Sequence, residues 1–282
     1  MVDQSLVVMK DLPLGTRMKC YEAVETKRRF ERNKPIYARI DGRGFSKFTK
    51  GMKRPYEEEM SKAMIEVTKY LVKETGAVVG YTQSDEISLA WFGDDTKTAF
   101  FFDGKIQKMV SNVAALATAK FMTYAAVKWP EACEQKLPTF DSRIISMPSF
   151  EEVANMFLWR VMDARKNSIS MAARAFFSHK SILNKNGADK IEMLKEAGID
   201  FEAYPEFFKH GTFVRNEKFF VSIEDSSIPL QYREGKEGVY RNKIVEVPMT
   251  SFMSVENKVP FMFYGEQPKL IEKPIFLDTE QD

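Results

Sequence analysis

Cysteine and histidine are nearly missing from this chain: 282 residues hold two of each. Cys20 and Cys133 cannot build a disulfide framework. His179 and His210 have no partner at a metal-ligand spacing, so zinc-type centres and His-based nucleophilic catalysis find no support. No apolar run reaches the roughly 18 residues of a membrane span, and the N-terminus lacks the apolar core of a signal peptide. A cytoplasmic, reducing setting with no membrane partner is therefore expected. The Gly-x-x-x-x-Gly-Lys-Ser/Thr loop is absent, which excludes the phosphate cradle built on it. Charge of one sign is also lacking: 42 Lys and Arg face 40 Asp and Glu, a net charge of +2. Broad nonspecific coating of nucleic acid is excluded, and a polyanion must be gripped by local patches.

What remains is an ordinary globular composition, 44% hydrophobic, long enough for one large domain or a domain with an appendage. Ile36, Ala38 and Ile40 alternate with Tyr37 and Arg39, the period of a half-buried strand, which Gly42 and Gly44 end. From Tyr56 to Thr75, Met60, Met64, Val67 and Leu71 recur at helical spacing behind acidic Glu57, Glu58 and Glu59, with Gly76 as the stop. Val78–Tyr81 and Ile87–Phe92 read as two strands of a hairpin, with Asp85 in or beside its turn. Residues 103 to 128 read as an Ala-rich helix ended by Trp129-Pro130. Leu137–Met147 reads as another strand. Ser149 and Glu152 have capping-box spacing ahead of Val153, Met156, Phe157 and Trp159. Beyond about residue 200 come aromatics, prolines and short strand-like runs at Lys218–Ser222 and Lys243–Val247, an irregular extension.

Each of the segments Ile36–Phe45 and Tyr81–Leu89 sets a carboxylate, Asp41 or Asp85, at the end of a short apolar strand. Two such groups suit a hard divalent cation, which prefers oxygen donors and keeps sites for water and substrate phosphates. With two metals they suit nucleotidyl transfer. Glu86 either adds a ligand or stands behind them. Gly42-Arg43-Gly44-Phe45 offers backbone amides to phosphate oxygens, and Arg43, Lys105 and Lys108 are candidates to neutralise a triphosphate. Acidic residues in turns and lysines on helices are also common as plain structure or solvated charge.

These segments resemble a known family, the tRNAHis guanylyltransferases and their relatives that extend tRNA 5′ ends in the 3′-to-5′ direction. Arg39-Ile-Asp41-Gly-Arg-Gly-Phe45 is similar to the family's Arg-Ile-Asp-Gly-Arg-x-Phe, and Tyr81-Thr-Gln-Ser-Asp85-Glu86 to Tyr-Gly-Gln-Ser-Asp-Glu. Phe140-Asp-Ser-Arg143, Met147-Pro-Ser149, Trp159-Arg160 with Asp163, Asp189-Lys190-Ile-Glu192, and Lys209-His-Gly211-Thr212 follow in the family's order. The resemblance implies an α+β, polymerase-like palm over residues 1–200, with a C-terminal extension over 201–282. It implies two magnesium ions on Asp41, the Gly42 carbonyl and Asp85, with Glu86 beside them. GTP and ATP would be the nucleotides, contacted by Asp41, Gly42, Arg43, Gly44, Phe45, Ser46, Ser84 and Asp85. Lys105 and Lys108 would hold phosphates, tRNA would be the partner, and the assembly a homotetramer.

One departure concerns substrate. Arg165-Lys-Asn-Ser168 stands where eukaryotic histidine-tRNA enzymes have His-Ile-Asn-Asn, and only Asn167 is kept. That loss resembles the branch that repairs truncated tRNA 5′ ends by templated addition. Within Asp189-Lys-Ile-Glu192, Ile191 replaces the family's asparagine. Two other readings share these residues: a nucleotide cyclase, whose palm-like domain presents two aspartates in a similar way, and a catalytically silent RNA-binding protein.

Overall fold

A six-stranded antiparallel sheet forms the middle layer of the molecule, in the order β4-β1-β3-β2-β5-β6. The computed structural model describes residues 12–92, 100–224, 229, 231, 237–247 and 251–271. The strands are β1 (Ile36–Arg43), β2 (Val79–Gln83), β3 (Glu86–Trp91), β4 (Thr139–Ser146), β5 (Thr212–Ser222) and β6 (Gly238–Val247). The longer helices are α1 (Leu14–Thr26), α2 (Glu58–Thr75), α3 (Ile106–Lys128), α4 (Phe150–Phe176) and α5 (Gly187–Glu196).

The period-two alternation in β1 sorts its side chains between two cores. Ile36, Ala38 and Ile40 join Ile87 and Leu89 against α2 and α3, where Met64, Val67, Leu71, Val113 and Phe121 are buried. Tyr37, Ala90, Tyr81 and Phe213 face the other way, onto Val153, Phe157 and Val161 of α4 and onto Phe252 and Phe261. Asp41, Glu86 and Asp141 occupy one rung across β3, β1 and β4, so all three fall on the α4 side of the sheet.

Helix ends differ slightly from the expected ones, for local reasons. The Glu57 carboxylate accepts from the Glu59 amide, so α2 starts at Glu58 rather than Tyr56, and it stops at left-handed Gly76 (φ 69°). Phe102, Asp103 and Gly104 all have positive φ, which delays α3 to Ile106. Ser149 accepts from the Glu152 amide at 3.3 Å and opens α4. The runs at Lys218–Ser222 and Lys243–Val247 are ends of longer strands, and β5 pairs with β2, so the segment beyond residue 200 contributes to the same sheet.

Candidate active site

Asp41 sits near the end of β1 with its side chain about one-third exposed, and its rung neighbour Glu86 opens β3. Asp85 comes in from the two-residue turn between Gln83 and Glu86. The Gly42 amide donates to the Asp85 carbonyl at 3.0 Å and ties that turn to the end of β1. A Cβ on Gly42 would lie 2.4 Å from the Phe45 ring and 2.7 Å from Asp85 Oδ2, so only glycine allows the Asp85 carboxylate this close to the β1 backbone. Ser84 holds a left-handed φ of 49° in the same turn, a conformation that costs a non-glycine residue about 1–2 kcal/mol.

Burial pushes the Asp85 carboxyl up to about 6; the Ser84 hydroxyl, donating at 3.1 Å, pulls it down, and the Asp41 and Glu86 charges add to the rise. A positive charge placed between these groups would relieve that repulsion. Among the described residues no three His, Cys, Asp or Glu side chains gather into a metal-ligand cluster. Two carboxylates with free space around them still fit a magnesium-type cation, which binds through one or two carboxylates and completes its shell with water and phosphate oxygens.

Two clefts meet at Ser84 and Asp85. One, of about 370 Å³, is bounded by Asp41, Gln83, Glu86 and the α4 face carrying Arg160, Asn167, Ser170, Met171 and Arg174. The other, of about 430 Å³, is lined by Gly42, Gly44, Phe45, Ser46, Lys53, Arg54, Tyr56 and Glu57. The Phe45 ring is buried against Phe48, Phe121 and Phe140, so it anchors the loop whose backbone borders the second cleft. Arg43 is exposed at the strand end. Arg143 of β4 brings its guanidinium to 3.7 Å from Asp41 and 3.5 Å from Asp141.

Lys105 and Lys108 are not brought to this place. The Lys128 end of α3 meets Glu59 at the start of α2, near the second cleft, whereas Lys105 bridges Arg29 at the opposite end of the helix. The helical rise sets the two ends of α3 about 35 Å apart. Lys108 lies 5.9 Å over the Phe102 ring, and neither lysine lines either cleft. A lysine pattern on a helix does not say which end of the sheet that helix end will reach.

Residue-by-residue reading of the sequence also left Arg160, Ser170, Met171 and Arg174 without roles. Arg160 stands in the family-like Trp159-Arg160 segment, and for the other three the signal is spacing: with Arg160 and Asn167 they recur at three, four and seven residues, one face of α4. Of the histidines, His210 is largely buried with its pKa lowered to about 4 by that burial, so it is neutral at physiological pH.

Comparison with known proteins agrees with this arrangement. The sequence profile described as tRNAHis guanylyltransferase matches residues 15–148. A bacterial tRNAHis guanylyltransferase-like protein solved in complex with ATP superposes with a TM-score of 0.67 at 38% identity, covering 73% of this chain and 87% of that one. A bacterial protein of the same description in complex with GTP gives 0.62 at 33% identity, covering 82% and 90%. The tRNAHis guanylyltransferase of Debaryomyces hansenii is 28% identical over 84% of this chain and 91% of its own length. With the palm-like sheet and the paired carboxylates in place, these matches mean that the chain belongs to the tRNAHis guanylyltransferase family of nucleotidyltransferases.

Proposed function

We propose that this protein adds nucleotides to the 5′ end of tRNA in the 3′-to-5′ direction, and that its task is templated repair of truncated 5′ ends. The observation that carries the chemistry is the meeting of Asp41 and Asp85 at the junction of two clefts, with Asp41 on the rung of Glu86 and the Asp85 turn held by the amide of Gly42. Asp41, Asp85 and the Gly42 carbonyl would hold two magnesium ions, which supply charge neutralisation at the reacting phosphates when bound. ATP would serve activation, in which an oxygen of the tRNA 5′-monophosphate bonds to the ATP α-phosphorus and pyrophosphate leaves. The 3′-hydroxyl of the incoming nucleotide, GTP among them, would then displace the adenylate. Phosphoryl transfer of this kind rests on positioning and charge more than on a protein nucleophile, in keeping with the shortage of His and Cys.

The Asp41–Ser46 backbone and Ser84 border the place of the incoming nucleotide. Lys53 and Arg54, which line the second cleft, are better placed than Lys105 and Lys108 to meet its phosphates within one subunit. The homotetramer remains what the resemblance implies; α1, which has no buried residue and exposes Leu14, Met18, Tyr21 and Val24, offers a surface for self-association without fixing the number of copies. Light scattering tests it. No described helix is long and apolar enough to cross a membrane, and the cytoplasm remains the proposed setting.

Repair is favoured over strict guanylylation by the fate of Arg165. At the position of the histidine in eukaryotic histidine-tRNA enzymes, its guanidinium is ion-paired with Glu202 and stacked 4.7 Å from the Phe201 ring, so it is turned to α4's other contacts. Of that segment Asn167 lines the first cleft, and Ser168 reaches only a smaller adjoining cavity of about 70 Å³. The test is sequencing of products from 5′-truncated histidine and non-histidine tRNAs given all four nucleotides and magnesium. Addition that follows the opposing strand on several tRNAs is expected. One guanylate on histidine tRNA alone, whatever the opposing base, would overturn repair.

A further inference from the structure

Arg160 of α4 donates from Nε and Nη2 to the two carboxylate oxygens of Glu86, each at 2.7 Å, and from Nη2 to Asp163 Oδ2 at 2.9 Å. The pair is enclosed: side-chain exposure is 6% for Arg160 and 8% for Glu86. The Trp159 ring lies 4.6 Å from the guanidinium. A bidentate, desolvated pair of this kind is geometrically specific, and breaking one side leaves the other charge buried with only a lesser partner, Asp163 for Arg160 and Arg39, 3.9 Å away, for Glu86. Glu86 faces Asp41 across the β1–β3 rung and follows Asp85 directly, so a free Glu86 would put a third negative charge on the same few ångströms of sheet.

We propose that Arg160 is a positioning residue: it takes both Glu86 oxygens out of the cation-binding set and fixes α4 over the Asp41–Asp85 pair. The two effects share one cause. With Glu86 neutralised by a guanidinium, the carboxylates left to the cation site are Asp41 and Asp85, beside the Gly42 carbonyl. With Arg160 pinned to β3, the helix face seven and fourteen residues onward, at Asn167 and Arg174, is set at a fixed height above those carboxylates. The inference rests on the reading of Asp41 and Asp85 as the cation-holding pair.

The test compares the full chain with Glu86→Gln, Arg160→Lys, the double variant Glu86→Gln/Arg160→Met, and Asp41→Asn. Bound manganese(II) is counted by electron paramagnetic resonance in the presence of GTP, and kcat and KM for GTP are measured in parallel. In Glu86→Gln the guanidinium loses its two-pronged partner and keeps only Asp163, so the part of its charge left unbalanced competes with the cation and manganese affinity should fall about 10- to 100-fold. Removing the guanidinium as well should bring affinity back to within about threefold of wild type. If the double variant binds manganese as weakly as Glu86→Gln, Glu86 is itself a ligand and the proposal fails. Arg160→Lys keeps the charge and loses the two-pronged geometry; kcat should drop about tenfold with KM for GTP nearly unchanged. Wild-type kcat in that variant also overturns the proposal, even if the double variant does not fold. Wild-type manganese binding by Asp41→Asn would instead remove the metal reading beneath it, a separate failure.

Discussion

Gly42 and Asp85 are locked together twice: the Gly42 amide donates to the Asp85 carbonyl at 3.0 Å, and Asp85 Oδ2 fills the space where a Gly42 Cβ would stand. The nearness of the two carboxylates therefore depends on a residue that carries no charge. Gly42→Ala should cut nucleotide addition as severely as loss of a carboxylate, by about 100-fold or more. Single-turnover kinetics on a 5′-activated tRNA would measure it. A near-normal rate would mean that the turn can withdraw without cost.

Asp41→Ala and Asp85→Ala should each abolish addition while the protein stays folded, because neither side chain belongs to the two sheet cores. Circular dichroism with a magnesium titration of activity checks both halves of the statement. Normal turnover with normal magnesium dependence would remove that aspartate from the site.

Asp85 also links function to stability. Burial raises its folded pKa to about 6, whereas the unfolded value is about 3.9. The folded chain therefore holds the proton more firmly, stability falls as pH rises between those values, and above about 6 the whole penalty is present. Asp85→Asn removes the ionisable group, so it should stabilise the metal-free protein by on the order of 3 kcal/mol near pH 8 and by almost nothing near pH 3.5. Urea unfolding with a chelator present, at the two pH values, reads this out. An equal change at both would point to packing instead.

Much of this site is legible in one sequence because its parts are local. The alternation in β1 puts Asp41 on the face opposite Ile36, Ala38 and Ile40, and the hairpin strands leave Asp85 in a turn. What the sequence does not show is long-range. Nothing in Lys105 or Lys108 says that α3 runs away from the carboxylates. The strand runs after residue 200 give no hint that β5 pairs with β2. The α4 face opposite the sheet carboxylates follows a visible spacing, but Arg160 acquires meaning only when Glu86 is found 74 residues away in sequence and 2.7 Å away in space.

The two basic clusters give a direct contrast. Replacing Lys53 and Arg54 together by alanine should raise KM for the incoming nucleotide about tenfold or more, the cost of losing two charge-assisted phosphate contacts. Replacing Lys105 and Lys108 should leave KM nearly unchanged in a single subunit's cleft, since they stand at the far end of α3. Steady-state kinetics with GTP varied would separate the pairs. The reverse result would mean that the phosphates are held by α3, from a neighbouring copy of the chain.

Substrate choice should resist simple grafting. Arg165 reaches outward to Glu202, so Arg165→His should fold normally, losing an ion pair that is partly exposed and worth about 1 kcal/mol at most. Ser168 is different: it is 2% exposed, donates to the Arg165 carbonyl at 2.9 Å and packs 3.4 Å from the Lys209 carbonyl. Ser168 borders only a small cavity of about 70 Å³, so Ser168→Asn adds volume and an extra amide where there is little room, at a cost of about 1–3 kcal/mol. The double variant should therefore be less stable than wild type and still extend several truncated tRNAs according to the opposing strand. Melting curves and product sequencing would check the two parts. A stable double variant that adds a single guanylate only to histidine tRNA would show that these two positions alone carry the specialised reaction.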